Sequence, residues 1–147
     1  MLQQRSTISD HATRIAELSD EFLVRRVHED WLIVGPSGLF VVGRAGADAS
    51  DDANRTLHIA QLLRERLSLH MAWVPFVDVL LVSDRRSNEV GCSVVRPSML
   101  ESVLTDGHQR IELSTLFELR RLLPGLAQEL TVESSRSNPS TPSRAAG

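Results

Sequence analysis

The sequence predicts an α/β fold, a mixed central β-sheet flanked by helices, and three features carry that prediction. Residues 30–42 form two unbroken apolar runs around a Gly-Pro-Ser-Gly turn, residues 51–69 repeat apolar side chains at helical spacing, and residues 74–82 form a further apolar run of strand length. With elements in the order helix, three strands, helix, two strands, helices, packing helices on a sheet buries every apolar face.

The chain of 147 residues is long enough for one core and too short for two, and its 41% hydrophobic content suits a globular domain. No apolar run reaches the roughly 18 to 20 residues of a membrane span, and the first ten residues are polar, so a cytoplasmic protein with no membrane partner is expected. The single cysteine, Cys92, rules out an internal disulfide and reads as an inert core thiol. All sixteen basic residues are arginine, which excludes any lysine-dependent mechanism and matches the codon bias of a GC-rich genome. A net charge of −3 provides no global attraction for nucleic acid, although a local basic patch stays open.

Taken in order, residues 9–18 place Ala12, Ile15, Ala16 and Leu18 on an amphipathic helix capped by Ser9 or Asp10. Residues 22–27 favour a strand with Arg25 and Arg26 at an exposed edge. The two runs of residues 30–42 predict a hairpin buried on both faces, because proline second and glycine fourth suit a type I turn. Residues 43–50, rich in glycine and alanine, predict a loop.

The helix expected at residues 51–69 has Asp51 and Asp52 at its positive end. A core strand is expected at residues 74–82 with Pro75 at its start, then a polar loop at 84–89 and a strand at 90–95. Pro97 opens a short helix that stops near Gly107, and a last helix follows Ser114, with Thr115 and Glu118 at capping-box spacing and Pro124-Gly125 as its end. The domain is therefore expected over residues 1–130, with residues 131–147 a disordered Ser/Pro-rich tail.

The stretch DWLIVGPSGLFVV, residues 30–42, resembles the hairpin of the nuclease-related domain (NERD) family, whose fold is restriction-endonuclease-like. The resemblance covers about residues 10–125 and rests on that one motif and on the order of elements. It implies a site in which two carboxylates hold Mg²⁺ and a lysine orients the attacking water. Mg²⁺ prefers oxygen ligands, and phosphodiester cleavage develops negative charge that a cation must stabilise.

Carried over by position, the first aspartate falls on Asp30, the second acid on Gly43 and the lysine on Ala45. The nearest cation is Arg44 and the nearest following acid Asp48, and an arginine is a poor proton acceptor because its pKa lies above about 12. The resemblance, with those positions substituted, implies a catalytically degenerate domain, a binding or interaction module without a cofactor, and the net charge of −3 favours a protein partner over nucleic acid. A metal-dependent DNA nuclease with a rearranged site is the alternative, using Asp30 with Asp48 or Asp78, Mg²⁺, and Arg44 as phosphate clamp.

Outside that motif, His28, Glu29 and Asp30 cluster where a strand enters the core, and Asp30 with Asp78 is the candidate metal pair; an edge position or an arginine partner is the structural reading of Asp78. Arg25, Arg26, Arg44, Arg85 and Arg86 are the candidate nucleic-acid contacts, weighed against solvated edges and loops. His11, His58, His70 and His108 have no zinc-site spacing, Gly35 and Gly38 lack the P-loop lysine, and Ser37 and Ser83 lack a histidine partner pattern.

Overall fold

The computed structural model describes residues 22–46, 48–85, 91–105 and 110–136. The predicted helix at residues 9–18, Arg86, Gly107 and residues 137–147 lie outside them. Strands β1 (Leu23–Val27), β2 (Asp30–Gly35) and β3 (Gly38–Arg44) precede helix α1 (Ala49–Leu67). Strands β4 (Val77–Val82) and β5 (Ser93–Val95), a 3-10 turn (Pro97–Met99), helix α2 (Leu100–Thr105) and helix α3 (Leu113–Arg136) follow.

The five strands form one mixed sheet in the order β1-β2-β3-β4-β5, so the predicted architecture of a mixed sheet with flanking helices holds. β1, β2 and β3 pair antiparallel, while β4 joins β3, and β5 joins β4, in parallel. A parallel pair requires a crossover, and α1 supplies it between β3 and β4.

Alternation along the strands sends side chains to opposite faces, and both faces are covered. Leu32, Val34, Leu39, Val41, Val77 and Val79 pack with α1 and α3. Ile33, Phe40, Val42, Leu80 and Val82 pack on the other side with Leu100 and Leu104 of α2. The hairpin is thus buried on both faces, as its unbroken apolar runs predict. Cys92 is half-buried against the first of these cores.

The hairpin turn is also buried. Gly35 pairs with Gly38, whose φ of +154° suits a residue without Cβ. Ser37 Oγ donates to the Leu104 carbonyl at 2.5 Å, and the Pro36 carbonyl accepts from the Arg110 amide at 2.8 Å. The turn thereby fixes where α2 ends and where the approach to α3 begins.

Several boundaries differ from those predicted, and each difference has a non-local cause. β3 continues through Gly43 and Arg44, which pair with Leu81 and Val82; a glycine that reads locally as loop is held by the neighbouring strand. α1 starts two residues early because Asp48, rather than a residue nearer Asp51, caps it, accepting from the Asp51 amide at 3.1 Å. β4 starts at Val77, leaving Pro75 outside the ladder, and β5 is only three residues long.

The clearest correction concerns α3, which begins at Leu113, holds Thr115 and Glu118 inside the helix, and runs through Pro124 and Gly125. A proline inside a helix costs about 3 kcal/mol through its missing N–H and its clash with the preceding turn. Leu126, Ala127 and Leu130 beyond it are buried, and at roughly 1.5 to 3 kcal/mol per buried leucine this outweighs the proline. The helix reaches Arg136, past the boundary expected at residue 130. Among the described residues, no helix is long and apolar enough to cross a membrane.

Because Pro124 is exposed within a continuous helix, Pro124→Ala is expected to raise the urea midpoint, by up to about 3 kcal/mol of stability. An unchanged or lowered midpoint would mean that the helix is broken there.

Candidate functional site

Asp30 opens β2 directly after a two-residue turn, His28-Glu29, that closes the Val27–Asp30 pair. His28 has a φ of +54°, a left-handed conformation that histidine accepts more readily than most residues. Its Nε2 lies 2.8 Å from the Thr131 carbonyl, and since a carbonyl only accepts, Nε2 is the donor. The turn is therefore tied to the last third of α3.

The Asp30 side chain falls on the α1 face of the sheet and is 1% exposed. A buried carboxylate requires donors, and the first turns of α1 provide them. Arg55 reaches it with two nitrogens, Nη2 to Oδ1 at 3.3 Å and Nε to Oδ2 at 3.4 Å. Thr56 Oγ1 lies 3.1 Å from Oδ1 and 3.0 Å from the Asp52 carbonyl.

Asp52 completes the cluster. Its Oδ1 accepts from Arg55 Nη1 at 2.7 Å and its Oδ2 from the Gly46 amide at 2.5 Å. Glu29 lies further out, 3.9 Å from Nη1. One guanidinium is thus held among three carboxylates, with its tightest contact on Asp52 and a longer fork on Asp30.

Gly43 explains why this packing is possible. A Cβ at that position would fall 2.1 Å from Thr56 Oγ1 and 2.7 Å from Asp30 Oδ1. Any side chain at residue 43 has to displace Thr56 or Asp30. The position that the family resemblance assigns to a second acid is therefore filled by a threonine from the helix.

Burial pushes the Asp30 carboxyl above its ordinary value, and Glu29 adds to this, while the charge and hydrogen bonds of Arg55 and the Thr56 hydroxyl pull it back in part. Burial lowers the pKa of Arg55, but its contacts with Asp30 and Asp52 outweigh that and leave it above the ordinary value. The arginine is a permanent cation on this carboxyl.

Beside the cluster lies a cavity of about 650 Å³ whose lining includes Glu29, Asp30, Asp51 and Asp52, with His28, His58 and Arg55. Four carboxylates against one guanidinium make this opening attractive to cations and repellent to a phosphate backbone.

Of the sequence candidates, Asp30 belongs to this site with His28 and Glu29 beside it, and the Arg44 carbonyl lies 3.5 Å from Arg55 Nη2. Asp78 is paired with Phe40, so it projects with Phe40 on the opposite face of the sheet from Asp30, and it meets Arg110 at 3.2 Å. The expected Asp30–Asp78 metal pair is therefore corrected: two residues on opposite faces cannot share one ion. Asp48 is occupied in capping α1.

Arg25 and Arg26 lie on the edge strand, where Arg25 Nη1 donates to the Val24 carbonyl at 2.9 Å. Arg26 Nε donates to the His28 carbonyl at 2.7 Å, and its guanidinium stands 5.2 Å from the Trp31 ring. Arg44 ends β3 and is exposed, and Arg85 is exposed after β4, three strands or roughly 14 Å from the edge strand. Alternation along the strands puts Arg26 and Arg44 on the Phe40 and Val42 face of the sheet and Arg25 on the other, so the four arginines do not share one face. Ser37 and Ser83 hold backbone, Ser37 donating to Leu104 and Ser83 accepting from the Arg85 amide at 3.0 Å.

The residues present do not fit Mg²⁺ at Asp30. Such an ion needs oxygens at about 2.0 to 2.1 Å, whereas both Asp30 oxygens already face guanidinium nitrogens. Among the described residues, no group of three or more histidine, cysteine, aspartate or glutamate side chains is placed to hold a metal.

Sequence reasoning missed Asp52, Arg55 and Thr56. Their signal was the i, i+3, i+4 spacing at the start of the helix that follows β3, which brings all three above the end of that strand. No protein-family model, curated protein or solved structure matches the chain.

A carboxyl raised by folding stabilises most below its unfolded value of 3.8, and this contribution is lost as pH rises through the higher folded value. Asp30→Asn is therefore expected to compare best with the parent near neutral pH, and to lose ground as pH falls toward 3.8. Thermal melts of both proteins across that window test this; a gap that moves the other way would mean that Arg55 depresses the carboxyl.

Proposed function

We propose that this chain is a nuclease-related domain of the restriction-endonuclease-like fold class in which the nuclease site has been replaced by an internal ion pair, and that it works as a binding or interaction module. The observation that carries the reading is the Arg55 guanidinium seated on both oxygens of Asp30, the one acid retained from the family's pattern. Three antiparallel strands, a crossover helix and a parallel strand, with Asp30 at the hairpin entrance, support the fold assignment.

Catalysis of the family's kind needs a divalent cation and a group that activates water. Here Arg55 takes the place of the cation and holds it permanently, Thr56 fills the space at Gly43, and Ala45 has no ionisable group. Arg55, always charged, cannot serve as the base that activates water at Asp30.

Binding rather than cutting is what remains, and the acidic lining of the cavity favours a protein partner over a nucleic acid. The net charge of −3 points the same way.

Plasmid and single-stranded DNA incubated with the protein and Mg²⁺ or Mn²⁺ are expected to remain intact, with parent and Asp30→Ala proteins alike. Metal-dependent cleavage that disappears in Asp30→Ala would establish the rearranged nuclease instead.

A further inference from the structure

The end of the fold opposite Asp30 carries apolar surface that the proposed function does not use. Leu69, Trp73, Phe76, Leu113 and Phe117 are each between 65% and 76% exposed. Three of the six aromatic residues in the chain are among them, so a sequence poor in aromatics places half of them where no core needs them. Exposed apolar surface of this kind marks a contact.

Chain direction gathers these side chains at one end. β4 starts with Val77 opposite Leu39, next to the Pro36 turn, so Trp73 and Phe76 lie just before the sheet there. α3 starts at the same end, since the Arg110 and Ile111 amides donate to the Pro36 carbonyl, and Leu69 follows the last turn of α1. His70, Met71 and Trp73 share a shallow cavity of about 280 Å³ with Ser114, Thr115 and Glu118 of α3. Leu113 and Phe117 each stand one residue before a lining residue and are exposed beside this notch. The surface therefore holds a projecting aromatic and a recess side by side.

Its area matches what a dimer needs. At about 150 to 250 Å² per aromatic side chain, the three rings expose roughly 400 Å². A burial worth of about 1.5 to 3 kcal/mol at about 25 cal/mol per Å² gives the two leucines a further 130 Å² or so. Since homodimer interfaces are about 65% apolar, this surface corresponds to roughly 800 Å² per partner, the standard size of a specific interface.

The surrounding charges also suit a second copy. In a two-fold contact the same surface meets itself, so a rim of one sign would repel its partner. Here Arg110 meets Asp78 and Arg121 meets Glu118, while Glu112 and Arg120 are of opposite sign. The Asp30 end fails the same condition, because four carboxylates line its cavity.

We propose that this end of the fold is a two-fold homodimer interface, in which Phe117 of each copy enters the notch beside Trp73 of the other. The dimer uses no part of the Asp30 site. α1 spans 19 residues, about 28 Å at 1.5 Å per residue, between the two ends, so both acidic cavities stay open on the outside of the pair.

Sedimentation equilibrium of the full chain at roughly 1 to 100 µM, where an interface of this size is populated, tests the proposal. Phe117, Leu113 and Val132 are all exposed, so a charge at any of them leaves the core intact, and Val132 lies beside the His28 turn at the far end of α3. The expected result is a dimer whose dissociation constant rises about 30-fold or more in Phe117→Asp and in Leu113→Asp and is unchanged in Val132→Asp. A monomer at every concentration would overturn the proposal and leave the patch to a different protein. A dimer that the first two variants do not weaken, or that Val132→Asp weakens equally, would overturn it too. A second reading needs no charged variant: with Trp31→Phe leaving Trp73 as the only indole, acrylamide quenching of Trp73 is expected to rise as the protein is diluted through the dissociation range. Quenching that stays constant while the dimer dissociates would place the interface elsewhere and overturn the proposal.

Discussion

Burying the Asp30 carboxyl at the mouth of an apolar hairpin costs several kcal/mol unless donors meet it, and the chain provides them from the first turns of α1. That requirement sets the geometry around it. Arg55 and Thr56 reach the carboxyl because Gly43 has no side chain to separate helix and strand. Asp52 in turn steadies Arg55 and fixes the loop at Gly46. Within the crossover from β3 to β4, one ion pair settles how closely the first turns of α1 lie on the sheet.

The fold was legible where burial dictates sequence. The unbroken runs of β2 and β3 announced a hairpin covered on both faces, and the helical spacing of Ala53, Leu57, Ala60, Leu63 and Leu67 announced α1. Boundaries were less legible because partners distant in sequence decide them. Gly43 belongs to a strand only because Leu81 lies beside it, and Pro124 stays inside a helix only because buried leucines continue on its far side.

The candidate site was half legible for the same reason. Asp30 stood out as a charged residue at the head of an apolar run, and the side chains at 43 and 45 could be read off directly. Which cation neutralises Asp30 depended on how α1 docks, so Arg55 was invisible while Arg44 beside the strand seemed the nearer choice in sequence. A guanidinium suits the position because its planar fork addresses both Asp30 oxygens while Nη1 reaches Asp52, a task that a single ammonium performs less well.

The direct test of the internal cation is a double-mutant cycle on Asp30→Asn and Arg55→Met, read by urea denaturation. Arg55→Met alone leaves a buried charge without its partner, so the account predicts a large loss that Asp30→Asn partly restores, with a coupling of about 1 to 3 kcal/mol. Effects that add to within about 0.5 kcal/mol would contradict it, because two side chains that do not depend on each other cannot be the interaction on which the site is built.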